Sequence, residues 1–349
     1  MAGITYKCPN CGAYLTFDPD SQQWKCPFCS SAFPETELKG KAEAFQKEAD
    51  KEAEQSSGAQ VVYHCPSCGS EIMTDETTVA THCYYCHSPV VLQGKLTADM
   101  KPDEVLPFTI GKEKAIEEIT EWIRTRKFVP KKFFSKAQIQ EMSGVYYPHF
   151  VNECQAEGTL DGEATTSDVF DEGKYVVTNT RHYHVRREGR FVFKDILRPA
   201  LSKANRKLTE GVHPFPLEDA KPFSGAFLSG FLAERRDLEA DSYRQEIEQE
   251  LQGYMNSMLR DTASQYQTCS ASTTATVKKI KTKYVLLPTW VLTYPNKKNK
   301  DEPYYYVMNG CTGQVCGKLP VDMGRLWRHG LLAGLIVAAL YCVLAYFLF

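Results

Sequence analysis

Four Cys-x-x-Cys pairs near the N-terminus constrain this chain more than any other feature. They read Cys8-Pro-Asn-Cys11, fourteen residues, Cys26-Pro-Phe-Cys29, and again Cys65-Pro-Ser-Cys68, fourteen residues, Cys83-Tyr-Tyr-Cys86. A CxxC turn aims two thiolates at one point, and two such turns complete a tetrahedral sulfur site with bonds of about 2.3 Å. The pattern predicts two zinc ions, one held by Cys8, Cys11, Cys26 and Cys29, the other by Cys65, Cys68, Cys83 and Cys86. Gly12 and Gly69 follow the leading pairs, where a residue free to take positive φ suits the turn. Sites closed by four thiolates are structural, so chemistry at the metal is not expected. Close thiol pairs in a chain whose start, MAGITYKCPNC, lacks an apolar signal run fit a reducing compartment better than disulfides. His64, His82 and His87 stand beside the second set and read as surface residues.

The opposite end carries the second constraint. Residues 330–349, GLLAGLIVAALYCVLAYFLF, contain no charge, and a helix of that length reaches roughly 30 Å, the thickness of a bilayer's hydrocarbon core. The reading is a C-terminal transmembrane helix, a tail anchor. Lys318, Arg325, Arg328 and His329 precede it, which places the N-terminal body in the cytoplasm of a single-pass protein of the cell membrane. Trp327 sits where an interfacial aromatic would.

Between these ends the sequence divides into a charged helical linker (34–60) after zinc ribbon 1 (1–33), zinc ribbon 2 (61–92), a docking-helix region (93–143) and an α+β body (144–322). In the linker, Glu37/Lys41 and Glu43/Lys47 have i,i+4 spacing, and Ser56-Ser57-Gly58 ends it as a joint. Ala115, Ile116, Ile119, Trp122 and Ile123 share one helical face. In the body, strands are expected from Val145, over 178–187 and 190–196 with Glu188-Gly189 as a hairpin turn, and over 276–294 and 303–317 with Cys311-Thr312-Gly313 as a turn. A long helix carries Ala240, Tyr243, Ile247, Leu251, Tyr254, Met258 and Leu259, capped by Asp241 or Ser242. Val145-Tyr-Tyr-Pro-His-Phe150 and Val285-Leu-Leu-Pro-Thr-Trp290 share one pattern, which predicts two related β units around that helix. The fold class expected is α+β: two N-terminal zinc ribbons, a mixed α/β body with antiparallel strands and a long helix, and one C-terminal transmembrane helix.

Several functions fit poorly. With 41 Lys and Arg against 43 Asp and Glu, the net charge is −2, which exerts no global pull on nucleic acid. Tyr14, Phe17, Trp24, Phe28, Tyr84 and Tyr85 decorate the ribbons with aromatics, but only Lys7 and Lys25 are basic between Lys7 and Cys29, and none is basic between Cys65 and Cys86. Nucleic-acid binding through the ribbons is therefore the alternative function, not the first. No Gly-Lys pair is followed by Ser or Thr, and H-E-x-x-H and G-x-S-x-G are absent, so nucleotide-driven, zincin and serine-hydrolase chemistry lack their motifs. Cys154, Cys269, Cys311 and Cys316, with His149, His182 and His184, are scattered and read as buried thiols and surface histidines. The chain is not expected to be an enzyme or to have a small-molecule substrate. Lys279, Lys281 and Lys283 share one strand face, which could meet an anionic leaflet but reads first as a solvated surface.

The twin CxxC ribbons, residues 145–150, Leu287-Pro-Thr-Trp290, the Asn309-Gly-Cys-Thr-Gly-Gln-Val-Cys-Gly317 run and the apolar C-terminus together resemble bacterial zinc-ribbon membrane proteins. These are encoded beside phage-shock protein A and flotillin-like SPFH proteins in envelope-stress operons. The resemblance implies a membrane-anchored scaffold or adaptor that recruits such partners; no binding residue carries over beyond the eight cysteines. With the bilayer as the partner of the C-terminal helix, the ribbons are expected to form the partner-facing end, reaching away on their linker. Replacing Cys26 by Ser is then expected to unfold the first ribbon alone.

Overall fold

Strand, not helix, dominates the molecule. The computed structural model describes residues 6–38, 62–65, 71–74, 77–83, 88–92, 100–130, 142–294, 304–319 and 321–348, without the side chains of 62–64, 71–73, 294, 304, 343 and 345–348. Strands β1 (Thr16–Asp18), β2 (Gln23–Lys25) and β3 (Ala32–Phe33) form an antiparallel sheet of their own, and β4 (Val62–His64) pairs with β5 (Glu71–Met73). The remaining strands join one ten-stranded sheet: β6 (Thr78–His82), β7 (Pro89–Val91), β8 (Glu104–Val105), β9 (Ser143–Glu172), β10 (Tyr175–Pro199), β11 (Lys221–Pro222), β12 (Leu232–Glu234), β13 (Thr268–Tyr294), β14 (Tyr304–Asn309) and β15 (Val315–Gly317). Thus strands from the 61–92 segment pair within the body's sheet, β6 against β12. Helices are α1 (Lys112–Arg124), α2 (Arg206–Glu210), α3 (Arg244–Asp261) and α4 (Met323–Leu348).

This corrects the α+β class. Its source is the length of β9, β10 and β13, at 30, 25 and 27 residues; a 30-residue strand reaches roughly 100 Å. The three form an antiparallel arm, β13–β9–β10. Along β9, Cys154, Ala156, Leu160 and Ala164 are buried while Gln155, Glu157, Thr159, Asp161 and Glu163 are exposed. That is period-two alternation, small on the covered face and charged on the open one. Glu188-Gly189, expected as a turn, lies inside β10, where Gly189 opposes Gly158, and it is Gly158 that leaves room for the Phe191 ring and for Leu259 of α3. The chain turns instead at Gly173-Lys174, with Gly173 at φ +65°, the left-handed geometry a two-residue hairpin loop requires.

Helix α3 lies across the covered face of the arm. Ile247, Leu251, Met255 and Leu259 form its buried i,i+4 ridge, whereas Tyr254 and Met258, expected to be buried with them, are exposed. No side chain caps α3; a 3-10 turn over Ala240–Tyr243 leads into it, so neither Asp241 nor Ser242 serves as the expected cap. In α1, Ala115 and Ile119 are buried and Ile116 and Ile123 pack against the same core. The two V-h-h-P-x-aromatic runs are direct neighbours: Val285 opposes His149 and Pro288 opposes Tyr146. Each proline carbonyl accepts a bond from the chain that follows its hairpin partner, Pro148 from Ala200 N at 2.9 Å and Pro288 from Gly310 N at 3.0 Å.

Among the described residues, no helix is long and apolar enough to cross a membrane. The expected transmembrane helix at 330–349 is corrected accordingly, and with it the single-pass placement in the cell membrane with a cytoplasmic body. Of the linker, residues 34–38 are described, with Glu35 to Leu38 in helical conformation; 39–60 lie outside the described residues.

The core is aromatic and crosses from the first ribbon into the body. Phe17 and Trp24 meet Phe227 at ring-centroid distances of 5.3 and 5.1 Å, and Phe108 stacks on Phe231 at 4.4 Å and tilts against Trp290 at 5.0 Å. Trp24 Nε1 donates to Ala226 O at 2.8 Å, and Ser229 Oγ donates to Leu15 O at 2.5 Å. Buried aromatics with satisfied polar handles contribute most to such a core. The first ribbon is seated on the body through its own largest side chains and does not reach away from it.

Candidate metal centre

Two turns with the same backbone pattern build the centre. Cys8 N donates to Ala13 O at 2.6 Å and Gly12 N to Cys8 O at 2.9 Å; Cys26 N donates to Ser31 O at 2.9 Å and Ser30 N to Cys26 O at 3.0 Å. Gly12 (φ 76°) and Ser30 (φ 58°) hold the equivalent left-handed position. Asn10 Nδ2 donates to Ser31 Oγ at 2.9 Å and ties one turn to the other.

The turns bring four thiols together. The Sγ atoms of Cys8, Cys11, Cys26 and Cys29 all lie within 4.8 Å of one another, with Cys8 to Cys29 and Cys11 to Cys26 each at 3.5 Å. Sulfurs bound tetrahedrally at 2.3 Å would be separated by about 3.8 Å, so the four residues fit a four-thiolate metal site. Cys8 and Cys26 are buried on the core side; Cys11 and Cys29 face solvent. The Ser31 hydroxyl, 3.2 Å from Cys29 Sγ, and then the Ser31 backbone bring Cys29 down to about 6. At Cys11 the Ala13 backbone favours the thiolate, but the neighbouring thiols of Cys26 and Cys29 outweigh it and push the group up to about 12. Thiols this close cannot all ionise without a cation among them.

Of the second predicted set, Cys65 and Cys83 are described and buried, while Cys68 and Cys86 lie outside the described residues. Cys83 N donates to Ser88 O at 2.9 Å, repeating the Cys26–Ser31 bond at the same spacing. These serines carry a sequence signal of their own, CxxC-x-Ser at 26–31 and 83–88, beyond the cysteine spacing.

The scattered thiols and histidines do not assemble with the centre. Cys154 is buried under α3, Cys269 is exposed on the arm, Cys311 Sγ sits 3.3 Å from Pro107 O and Cys316 Sγ 3.9 Å from Lys207 O. His184 pairs with Asp161 at 3.2 Å and His182 is exposed on the arm. Lys283 is paired with Glu104 at 2.7 Å, which removes one of the three lysines from any anion-facing row.

His149 is not a surface residue, contrary to expectation. It is buried on β9, its Nδ1 3.1 Å from Tyr147 O and its Nε2 without a hydrogen-bond partner. Burial lowers its pKa from 6.5 to about 4, with nearby His213 adding to the effect. The unfolded chain therefore takes up a proton near pH 6.5 that the folded chain refuses until about pH 4, so stability is fully present above 6.5 and falls with pH through that window. A gap of that size corresponds to about 3 kcal/mol. Urea midpoints measured from pH 7 to pH 4 should fall for the wild type, and His149→Leu should flatten most of that slope; an equal slope in the variant refutes the assignment.

No protein-family model and no solved structure matches the chain. It is similar to the uncharacterized protein YdjG of Bacillus subtilis strain 168, with 28% identity over 338 residues that cover 96% of each chain.

Proposed function

We propose that this chain is a scaffold or adaptor whose two zinc ions are structural, one held by Cys8, Cys11, Cys26 and Cys29 and one by Cys65, Cys68, Cys83 and Cys86, and that it recruits protein partners without catalysing a reaction. The observation that carries the reading is the closed shell of four thiols, two of them built into the aromatic core. Such a shell leaves no open position for substrate and instead fixes a rigid surface. Zinc is the metal that four thiolates in tetrahedral array most often hold. The surface so fixed is the outer side of the first ribbon, where Phe28 is 69% exposed and meets Tyr14 edge-on at 5.4 Å. The partners in this reading are coiled-coil proteins of the phage-shock A type or SPFH proteins.

Elemental analysis of the purified full chain should find two zinc ions, and fewer than about 1.5 counts against twin closed sites. A tagged full chain in a mild detergent extract should recover coiled-coil or SPFH proteins by mass spectrometry. Phe28→Ser should lose them while keeping its zinc. Recovery of polymerase or nucleic acid in their place transfers the function to the alternative class.

A further inference from the structure

We propose that the chain forms a twofold dimer by antiparallel pairing of residues 268–277 of β13 with the same residues of a second copy. The arm has two long outer edges, and they are built differently. β10 presents His182, His184, Arg186, Glu188 and Arg190 along its exposed face, and charges of this kind keep a strand edge from pairing. β13 presents Thr-Cys-Ser-Ala-Ser-Thr-Thr-Ala-Thr-Val over 268–277, with no charge and no proline. Its inner side bonds to β9, and among the described residues its outer side gains strand neighbours only from Val285 onward. An open edge of this length without a guard is a site for strand addition.

The guards stand immediately beyond the window. The register shifts between Val277 and Lys279, leaving Lys278 at a bulge, and Lys279 and Lys281 follow. A bulge ends regular pairing and twists the edge away. The pairing length is thus set by the chain itself.

A second copy fits this window better than an unrelated strand because the charges then match. With the axis near Ser272, uncharged residues oppose uncharged ones. Lys278 and Lys279 then fall outside the pairing, beside the α3–β13 connection of the second copy, close to its Asp261 and the C-terminal end of its α3, where the helix dipole is negative. The same operation puts both α3 helices on one face of the joined sheet. α3 lies nearer β13 than β10, and adjacent strands are about 4.8 Å apart. The two α3 helices then stand as neighbours across the new strand pair. Tyr254 and Met258, exposed on α3 at i,i+4, supply apolar side chains for such a contact.

The test uses the full chain in a mild detergent, which covers the exposed leucines of α4. Sedimentation equilibrium should give a protein mass of two chains, and hydrogen exchange should show protection at the amides of 268–277 that point away from β9. Thr274→Lys combined with Thr276→Lys changes two exposed side chains on the open face. It should halve the mass and abolish that protection with an unchanged circular dichroism spectrum. Thr180→Lys, on the β10 edge, should remain dimeric. A wild-type chain that is monomeric at all accessible concentrations overturns the proposal, as does a double-lysine variant that keeps the dimer mass.

Discussion

Cys26→Ser should loosen the body together with the first ribbon. Trp24 and Phe17 lie in one core with Phe227, Phe231 and Trp290, so a ribbon that loses its fold withdraws its two largest side chains from the body. Truncating a buried Phe or Trp costs about 3–5 kcal/mol, and withdrawing both should cost the body about 5 kcal/mol or more. That is a large part of the 5–15 kcal/mol that holds a typical domain together. Hydrogen exchange is the direct measurement. Amides over 226–231 and 144–150 should lose protection in step with those of 6–33, and Trp24→Ala should reproduce the effect at the body while leaving the four thiols in place. If the ribbon amides alone exchange, the two parts are energetically separate and the shared core does not couple them.

Asn309→Ala should cost about 4 kcal/mol, although the residue is far from any thiol of the metal centre. Asn309 is fully buried; its Nδ2 donates to Val212 O at 2.8 Å and Pro214 O at 2.9 Å, and its Oδ1 accepts from Cys311 N at 2.8 Å and Thr312 N at 3.1 Å. One side chain thus fixes the β14–β15 turn and ties it to the segment after α2. Alanine takes the partner from four backbone groups, Val212 O buried and the other three part-buried, and each buried group so orphaned costs about 1–3 kcal/mol, though not additively. A carboxylate in the same place would keep the two accepted bonds but present oxygen to two carbonyls, so Asn309→Asp should rescue nothing at pH 7. Urea midpoints for the two variants check both statements, and a loss under about 1 kcal/mol for alanine means that water replaces the amide.

The metal site was legible because its information is local. CxxC fixes the two thiols of each turn within a few residues, and the repeat tells which turns belong together. The helix at 112–124 was legible for the same reason, since i,i+4 apolar spacing is read over one short window. The arm was not. Its strands alternate glycine, alanine and cysteine with charges, and small residues carry little hydrophobic contrast, so Glu188-Gly189 reads as a turn although it lies deep in a strand. The seating of the ribbon was hidden for a different reason. Phe17 and Trp24 look in sequence like the small core of an autonomous module, and their true neighbours, Phe227 and Phe231, lie some two hundred positions later.

The bond from Trp24 to Ala226 spans 202 positions, and that separation sets an order of events during synthesis. At about 5–20 residues per second, the ribbon leaves the ribosome roughly 10 to 40 s before its binding surface does. The four thiols of the candidate site all lie within residues 8–29 and can come together in that interval, with Phe17 and Trp24 still uncovered. Closing so long a loop is slow, as it is for all contacts of high sequence separation. Docking of the first ribbon onto the aromatic platform at 226–231 therefore comes late, and until it occurs those aromatics are the surface that chaperones must shield.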